Sequence, residues 1–158
     1  MTILLWTASL CRPDPGYGGW SFVRRAEGLT GPEAIKGAAG GERRTTRARM
    51  SLTALTEALA SLADQPADTA VTLYLDDPAL PSELVSADGA YATAESEAWV
   101  AARAAVAARP VLTLAPLTTE EPSAGFLSAW ADFGLDTAKT RGSFKAAIPK
   151  PNLLKFPG

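Results

Sequence analysis

Two apolar runs, Thr2–Thr7 and Trp20–Arg25, flank the stretch "ASLCRPDPGYGG", and this turn most narrows what the chain can build. Pro13 and Pro15 fix φ and remove backbone donors. Gly16, Gly18 and Gly19 reach backbone angles that other residues resist. The two runs therefore read as antiparallel strands of a hairpin. Further on the pattern changes. "MSLTALTEALASLADQ" places Leu52, Leu55, Leu59 and Leu62 on one stripe at helical spacing. "TAVTLYLDD" reads as a buried strand ending in two acids, and residues 93–108 as an Ala-rich helix with acids in its first turn. "RPVLTLAPL" is a further strand. "SAGFLSAWADFGLDTAK" is a third helix, with Gly134 as a point of interruption. "GLTGPEAIKGAAGGE" reads as strand edges and turns.

Strands that alternate with helices pair in parallel, with the helices covering the sheet. Together with the leading hairpin this predicts an α/β domain on a mixed five-stranded sheet. The chain has 158 residues, 47% of them hydrophobic and 20% charged, enough for one core and too few for two ordinary ones. The domain is expected over residues 1–140. Residues 141–158 show no period and read as an extended basic tail.

Formal net charge is only -2. Its distribution is uneven: residues 1–50 balance at +4, 51–138 at -11, and 139–158 carry five basic residues and no acid. This asymmetry points to an anionic partner at the ends of the chain, against the alternative of solvated charge on several faces. The absence of histidine removes the usual general base and the usual metal ligand together. A lone Cys11 excludes an internal disulfide and suits a reducing compartment, so a cytoplasmic location is expected. The N-terminal apolar run stops at Arg12-Pro13, too short for a membrane span, and no membrane partner is expected.

Three motifs carry a resemblance. "WTASLCRPDPGYGGWSFVRR" resembles the first hairpin of the type 1 ribonuclease H family, which reads "TDGSC" and then "NPGPGG(Y/W)G"; Thr7, Cys11, Pro15, Gly16, Gly18, Gly19 and Trp20 match it without a gap. "TTRARMSLTALTEAL" is similar to the family's "TTNNRMELxAxxxAL", and "LYLDD" to its "xxTDS" strand end. Order and spacing agree over residues 2–80, and by element order alone over 95–140. The resemblance implies a ribonuclease H-like fold.

It also implies a chemistry and then withholds the groups for it. The family cleaves the RNA strand of RNA/DNA hybrids with two Mg²⁺ ions held by four carboxylates. Hard cations a few ångströms apart repel unless several anionic oxygens surround them. Carried across, the four positions fall on Ala8, Ser51, Asp76 and, near the start of the last helix, Ser128, with Asp132 as its rival. Only Asp76 of the first three is an acid. No intact catalytic site is expected, and Mg²⁺ would be held at most weakly, at Asp76. The competing reading of Asp76-Asp77 is a solvated strand end.

Substrate contacts divide similarly. Thr46, where the family holds a DNA phosphate, is kept. The family's two Asn positions are Arg47 and Ala48, and Asp14 replaces an Asn in the turn. "ERRTTRAR" gathers Arg43, Arg44, Arg47 and Arg49, and Arg43, Arg44, Thr46 and Arg47 are the candidate phosphate clamp. The alternative is a solubilising patch paired with Glu42. Trp6, Trp20, Trp99 and Trp130 read as core. The tail "IPKPNLLKFPG" could dock on a protein partner or pack back on its own domain. The expectation is a ribonuclease H-like module that binds a duplex or RNA/DNA hybrid without cutting it. A protein-interaction domain that keeps only the fold, or a divergent ribonuclease H with a rearranged site, are the alternatives.

Overall fold

The structure, a computed structural model, describes residues 1–158. The hairpin is longer than the apolar runs alone suggest: β1 spans Thr2–Arg12 and β2 Gly16–Ala26, paired antiparallel from Ile3↔Ala26 to Arg12↔Tyr17. Then come β3 (Ile35–Thr45), α1 (Arg47–Ala60), β4 (Ala70–Leu75), the short helices α2 (Leu80–Leu84) and α3 (Ala90–Ala94), α4 (Ser96–Ala107), β5 (Leu112–Pro116), α5 (Pro122–Arg141), β6 (Phe144–Ala147) and α6 (Lys150–Leu153). The sheet order is β5-β4-β1-β2-β3-β6, with β1·β4 and β4·β5 parallel and the others antiparallel.

The sheet has six strands instead of five. β1 is central and buried on both faces, which explains its nearly unbroken apolar run. Ile3 and Leu5 face α1 and α4, in a core with Leu52, Leu55, Leu59, Leu73 and Trp20. Trp6 and Ala8 face α5 and α6, in a core with Val23, Leu127 and Phe156. Each fully buried Leu contributes about 1.5–3 kcal/mol. The stripe expected on α1 is confirmed, since Leu52, Leu55 and Leu59 are buried and Leu62 is buried just beyond its end.

α5 runs uninterrupted through Gly134. That glycine is a contact point and not a break: a side chain on it would collide with the backbone of Gly40, and one on Gly19 with the backbone of Ala131. Glycines on both surfaces let helix and sheet approach closely, and this tertiary demand explains how the Gly-rich β3 is a strand despite poor propensity.

The segment 141–158, expected as an extended tail, packs back on the domain. β6 pairs with β3 along Ala38↔Ala147 to Gly41↔Phe144, and Leu153 and Phe156 are buried. The apolar residues proposed for docking are thus used within the chain, except Leu154, which is exposed. Trp6 and Trp20 are core; Trp99 and Trp130 are half-buried, and the Trp99 indole N–H donates to the Glu83 carbonyl at 2.8 Å. No helix is long and apolar enough to cross a membrane.

Candidate functional site

β4 stops at Leu75, while its neighbour β1 continues to Arg12. The residues just past the end of β4 therefore meet the half of β1 that β4 does not pair with. The Ser9 N–H donates to Asp76 Oδ2 at 3.0 Å. On the other side of Ser9 stands α1, whose Ser51 hydroxyl lies 2.9 Å from the Ser9 hydroxyl. Ser51 in turn donates to Asp77 Oδ2 at 2.7 Å, the same oxygen that accepts the Tyr91 hydroxyl at 2.6 Å. Asp77 Oδ1 accepts the Ala79 N–H at 3.0 Å. Arg47, in the first turn of α1, closes the group: its Nε donates to Ser9 Oγ at 3.0 Å and its Nη2 to Asp76 Oδ2 at 3.4 Å.

These bonds have one consistent direction. Arg47 can only donate, and an ionised Asp77 can only accept. With the Ser51 proton on Asp77, Ser9 must donate to Ser51 and accept from Arg47. The result is a chain from guanidinium through two hydroxyls to a carboxylate, satisfied at every member, which is the condition under which a buried polar network is stable.

Of the four positions implied by the resemblance, three lie together at this end of the sheet. Ser51 and Asp76 are joined through Ser9, and Ala8 is the residue before it. Strand alternation turns the Ala8 side chain to the other face, where it is 1% exposed in the α5 core. Ser128 is not part of the group, since it is exposed on α5 while Ala124 and Leu127 take the inward positions. Its rival Asp132 pairs at the surface with Arg12.

Asp76-Asp77 is not a solvated strand end. Asp77 is 4% exposed and Asp76 largely buried. Burial pushes the Asp76 carboxyl up to about 6; the Ser9 N–H and Arg47 oppose this, and the charge of Asp77 adds to it. Burial, and then the bond to Asp77, push the Tyr91 hydroxyl well above its ordinary range. These donors do not fit a pair of Mg²⁺ ions. Both Asp77 oxygens are taken by protein donors, Asp76 Oδ2 already holds an amide and a guanidinium, which leaves Asp76 Oδ1 as the one oxygen of the two carboxylates without a protein donor, and no group of three or more metal-ligating side chains converges.

The basic segment lies next to this network. Thr46 caps α1, accepting the Arg49 N–H at 3.0 Å, and its hydroxyl donates to Glu95 at 3.0 Å. A concavity of about 590 Å³ opens here, lined by Arg43, Arg44, Thr46 and Arg49 with Glu42 and Glu95. On its wall the Thr45 hydroxyl is buried with no hydrogen-bond partner. The arginines differ in availability. Arg43 is bound to the end of α5, donating to the carbonyls of Ala138, Lys139 and Thr140 at 3.1–3.2 Å. Arg49 pairs with Glu42 at 2.9 Å and more loosely with Glu95 at 3.9 Å. Arg44 is exposed and has no ion-pair partner. Arg47 also donates its backbone N–H to Asp14, which ties the turn to α1.

Sequence reasoning missed Ser9, Asp77, Tyr91 and Glu95. Glu95 breaks the helix expected over 93–108 into α3 and α4, at φ -131° and ψ 56°, and directs its carboxylate to Thr46 and Arg49.

The β1-β2-β3 hairpins, the parallel β4 and β5, and helices on both faces can be compared with known proteins. No protein-family model matches the chain. The N-terminal RNase H domain of a Mycobacterium tuberculosis protein superposes with a TM-score of 0.70 over 87% of this chain and 96% of that one, at 12% identity.

The fold is that of ribonuclease H.

LC11-RNase H1, solved in complex with an RNA/DNA hybrid, superposes with a TM-score of 0.69 over 87% of this chain and 99% of its own, at 19% identity. In sequence, the ribonuclease H of Paracidovorax citrulli is 43% identical over 74 residues, 47% of this chain and 44% of that protein. The match thus spans less than half the length of the curated relative. The resemblance to ribonuclease H type 1 read from the three motifs is supported.

Proposed function

We propose that this ribonuclease H-like domain binds a nucleic-acid duplex, an RNA/DNA hybrid in the first place, and does not cleave it. One observation carries the reading: the places of two family carboxylates are held by Ala8, packed into a core, and Ser51, bonded into a closed network, while an arginine stands beside the remaining acid. A site with Asp76 as its one available acid cannot gather two divalent ions against their repulsion.

Binding is supported by the concavity at the start of α1. It offers Thr46, the exposed Arg44, and the positive end of a 14-residue helix. The LC11-RNase H1 relative was solved with an RNA/DNA hybrid. Contacts of this type read backbone charge, so sequence preference is expected to be weak.

The second reading, a protein-interaction domain that keeps only the fold, draws on the internal pairing of Arg43, Arg47 and Arg49. Labelled hybrid, double-stranded and single-stranded probes across a salt series separate the two. Nucleic-acid binding through this edge gives affinity that falls with salt by about 0.9 log units per log unit for each phosphate neutralised. Absence of binding at low salt for every probe favours the protein partner.

A further inference from the structure

We propose that Arg47 is a built-in replacement for the divalent cation of this fold: its guanidinium neutralises Asp76 and leaves free N–H groups for a backbone phosphodiester, so the site works without metal.

A carboxylate that is four-fifths buried needs a positive partner or a proton. Arg47 provides the former, at 3.4 Å from Asp76 Oδ2 with the Asp76 side chain 21% exposed. Arg47 is held in place from three directions. Nε is fixed on Ser9, Nη2 on Asp76, and the residue's own backbone on Asp14. Of its five N–H donors, two are used by these side-chain bonds and three remain. The side chain is 36% exposed, so those three can reach a ligand. A planar, permanently charged fork suits a phosphate oxygen pair, as a compact ammonium does not.

The same geometry opposes a metal ion. A Mg²⁺ approaching Asp76 would find Oδ1 as its one free oxygen and a guanidinium charge already bound at Oδ2, and the second carboxylate, Asp77, is closed by Ser51, Tyr91 and the Ala79 amide. The loss of two acids and the presence of this arginine are therefore one change in local charge: fewer anions, and a fixed cation in place of mobile ones.

The neutralisation of Asp76 stands independently of the proposed function, and the phosphodiester contact rests on it. The test is therefore in two arms on the full chain. In the first, thermal unfolding and Mn²⁺ water-proton relaxation are followed with and without millimolar Mg²⁺ or Mn²⁺ at matched ionic strength, and no nucleic acid. The wild type and Arg47→Lys are expected to be unaffected by the metal. Arg47→Gln, which removes the charge but keeps a hydrogen-bonding side chain, is expected to gain a metal-dependent rise in Tm. Metal stabilisation of the wild type equal to that of Arg47→Gln overturns the proposal, as does measurable Mn²⁺ binding by the wild type. In the second arm, hybrid affinity in EDTA is expected to equal that in Mg²⁺ at the same ionic strength, with Arg47→Lys several-fold weaker. Binding that requires Mg²⁺ overturns the proposal. If no probe binds while the first arm holds, the nucleic-acid reading and its phosphate contact fail, and the internal cation stands.

Discussion

The Ser51 hydroxyl donates to Asp77 Oδ2 at 2.7 Å, at the position where the family resemblance places a glutamate. A group that would face a metal is instead a donor to a buried acid. Ser51→Ala should leave that acid and the Ser9 hydroxyl each short of a partner, and should cost about 1–3 kcal/mol. Ser51→Glu should cost at least as much, because it sets a second carboxylate against Asp77 at a site that is 3% exposed. Urea denaturation measures both. A Ser51→Glu protein as stable as wild type would show that the network is not a constraint.

Stability should depend on pH through Asp76. Its folded carboxyl is raised to about 6 by burial, whereas an unfolded aspartate titrates near ~3.9. Between these values the folded chain keeps a proton that the unfolded chain releases. Stability from this group is therefore fully present below about pH 4 and is lost as pH rises toward 6, by about 2 kcal/mol. Asp76→Asn should remove that slope. Chemical denaturation of both proteins across pH 4 to 7 checks the sign as well as the size.

Arg43 and Arg44 are adjacent but should separate experimentally. Arg43 holds three carbonyls at the end of α5, so Arg43→Ala should lower stability by about 1 kcal/mol. Arg44 holds nothing, so Arg44→Ala should stay within about 0.5 kcal/mol of wild type and still lower the salt slope of binding by about one unit. A clamp tested by replacing both together would mix the two effects.

Glu95 should oppose the ligand. Its carboxylate accepts the Thr46 hydroxyl at 3.0 Å inside the concavity, where a phosphate oxygen would compete for the same donor. Glu95→Gln should raise affinity for a labelled hybrid several-fold at low salt, and less at high salt, since the effect is electrostatic. Anisotropy titrations measure it, and unchanged affinity would place the ligand elsewhere.

Much of the fold could be read in the chain because its signals are periodic or local. The Leu stripe of α1, the Pro/Gly turn and the apolar run of β1 each depend on neighbours in sequence. β3 was harder, since its glycines carry no strand preference and make sense only with Gly134 of α5 against them. β6 is four residues long, half-exposed to exposed, and paired to a strand about a hundred residues earlier, so no local pattern marks it. The site divides in the same way. Ser51, Asp76, Thr46 and Arg47 were found through motif spacing. Ser9, Asp77, Tyr91 and Glu95 belong to the site only through hydrogen bonds that join separate elements, and Ser128 stands exposed and apart from the group, because motif order does not fix which side of a helix faces the sheet.

Binding without cleavage is read in both its parts by one assay. An end-labelled RNA/DNA hybrid is incubated with the wild-type protein in Mg²⁺ and in Mn²⁺, with anisotropy reporting binding and a denaturing gel reporting product. Salt-dependent binding and no product above a blank are expected. Product formation that Asp76→Asn abolishes would contradict binding without cleavage.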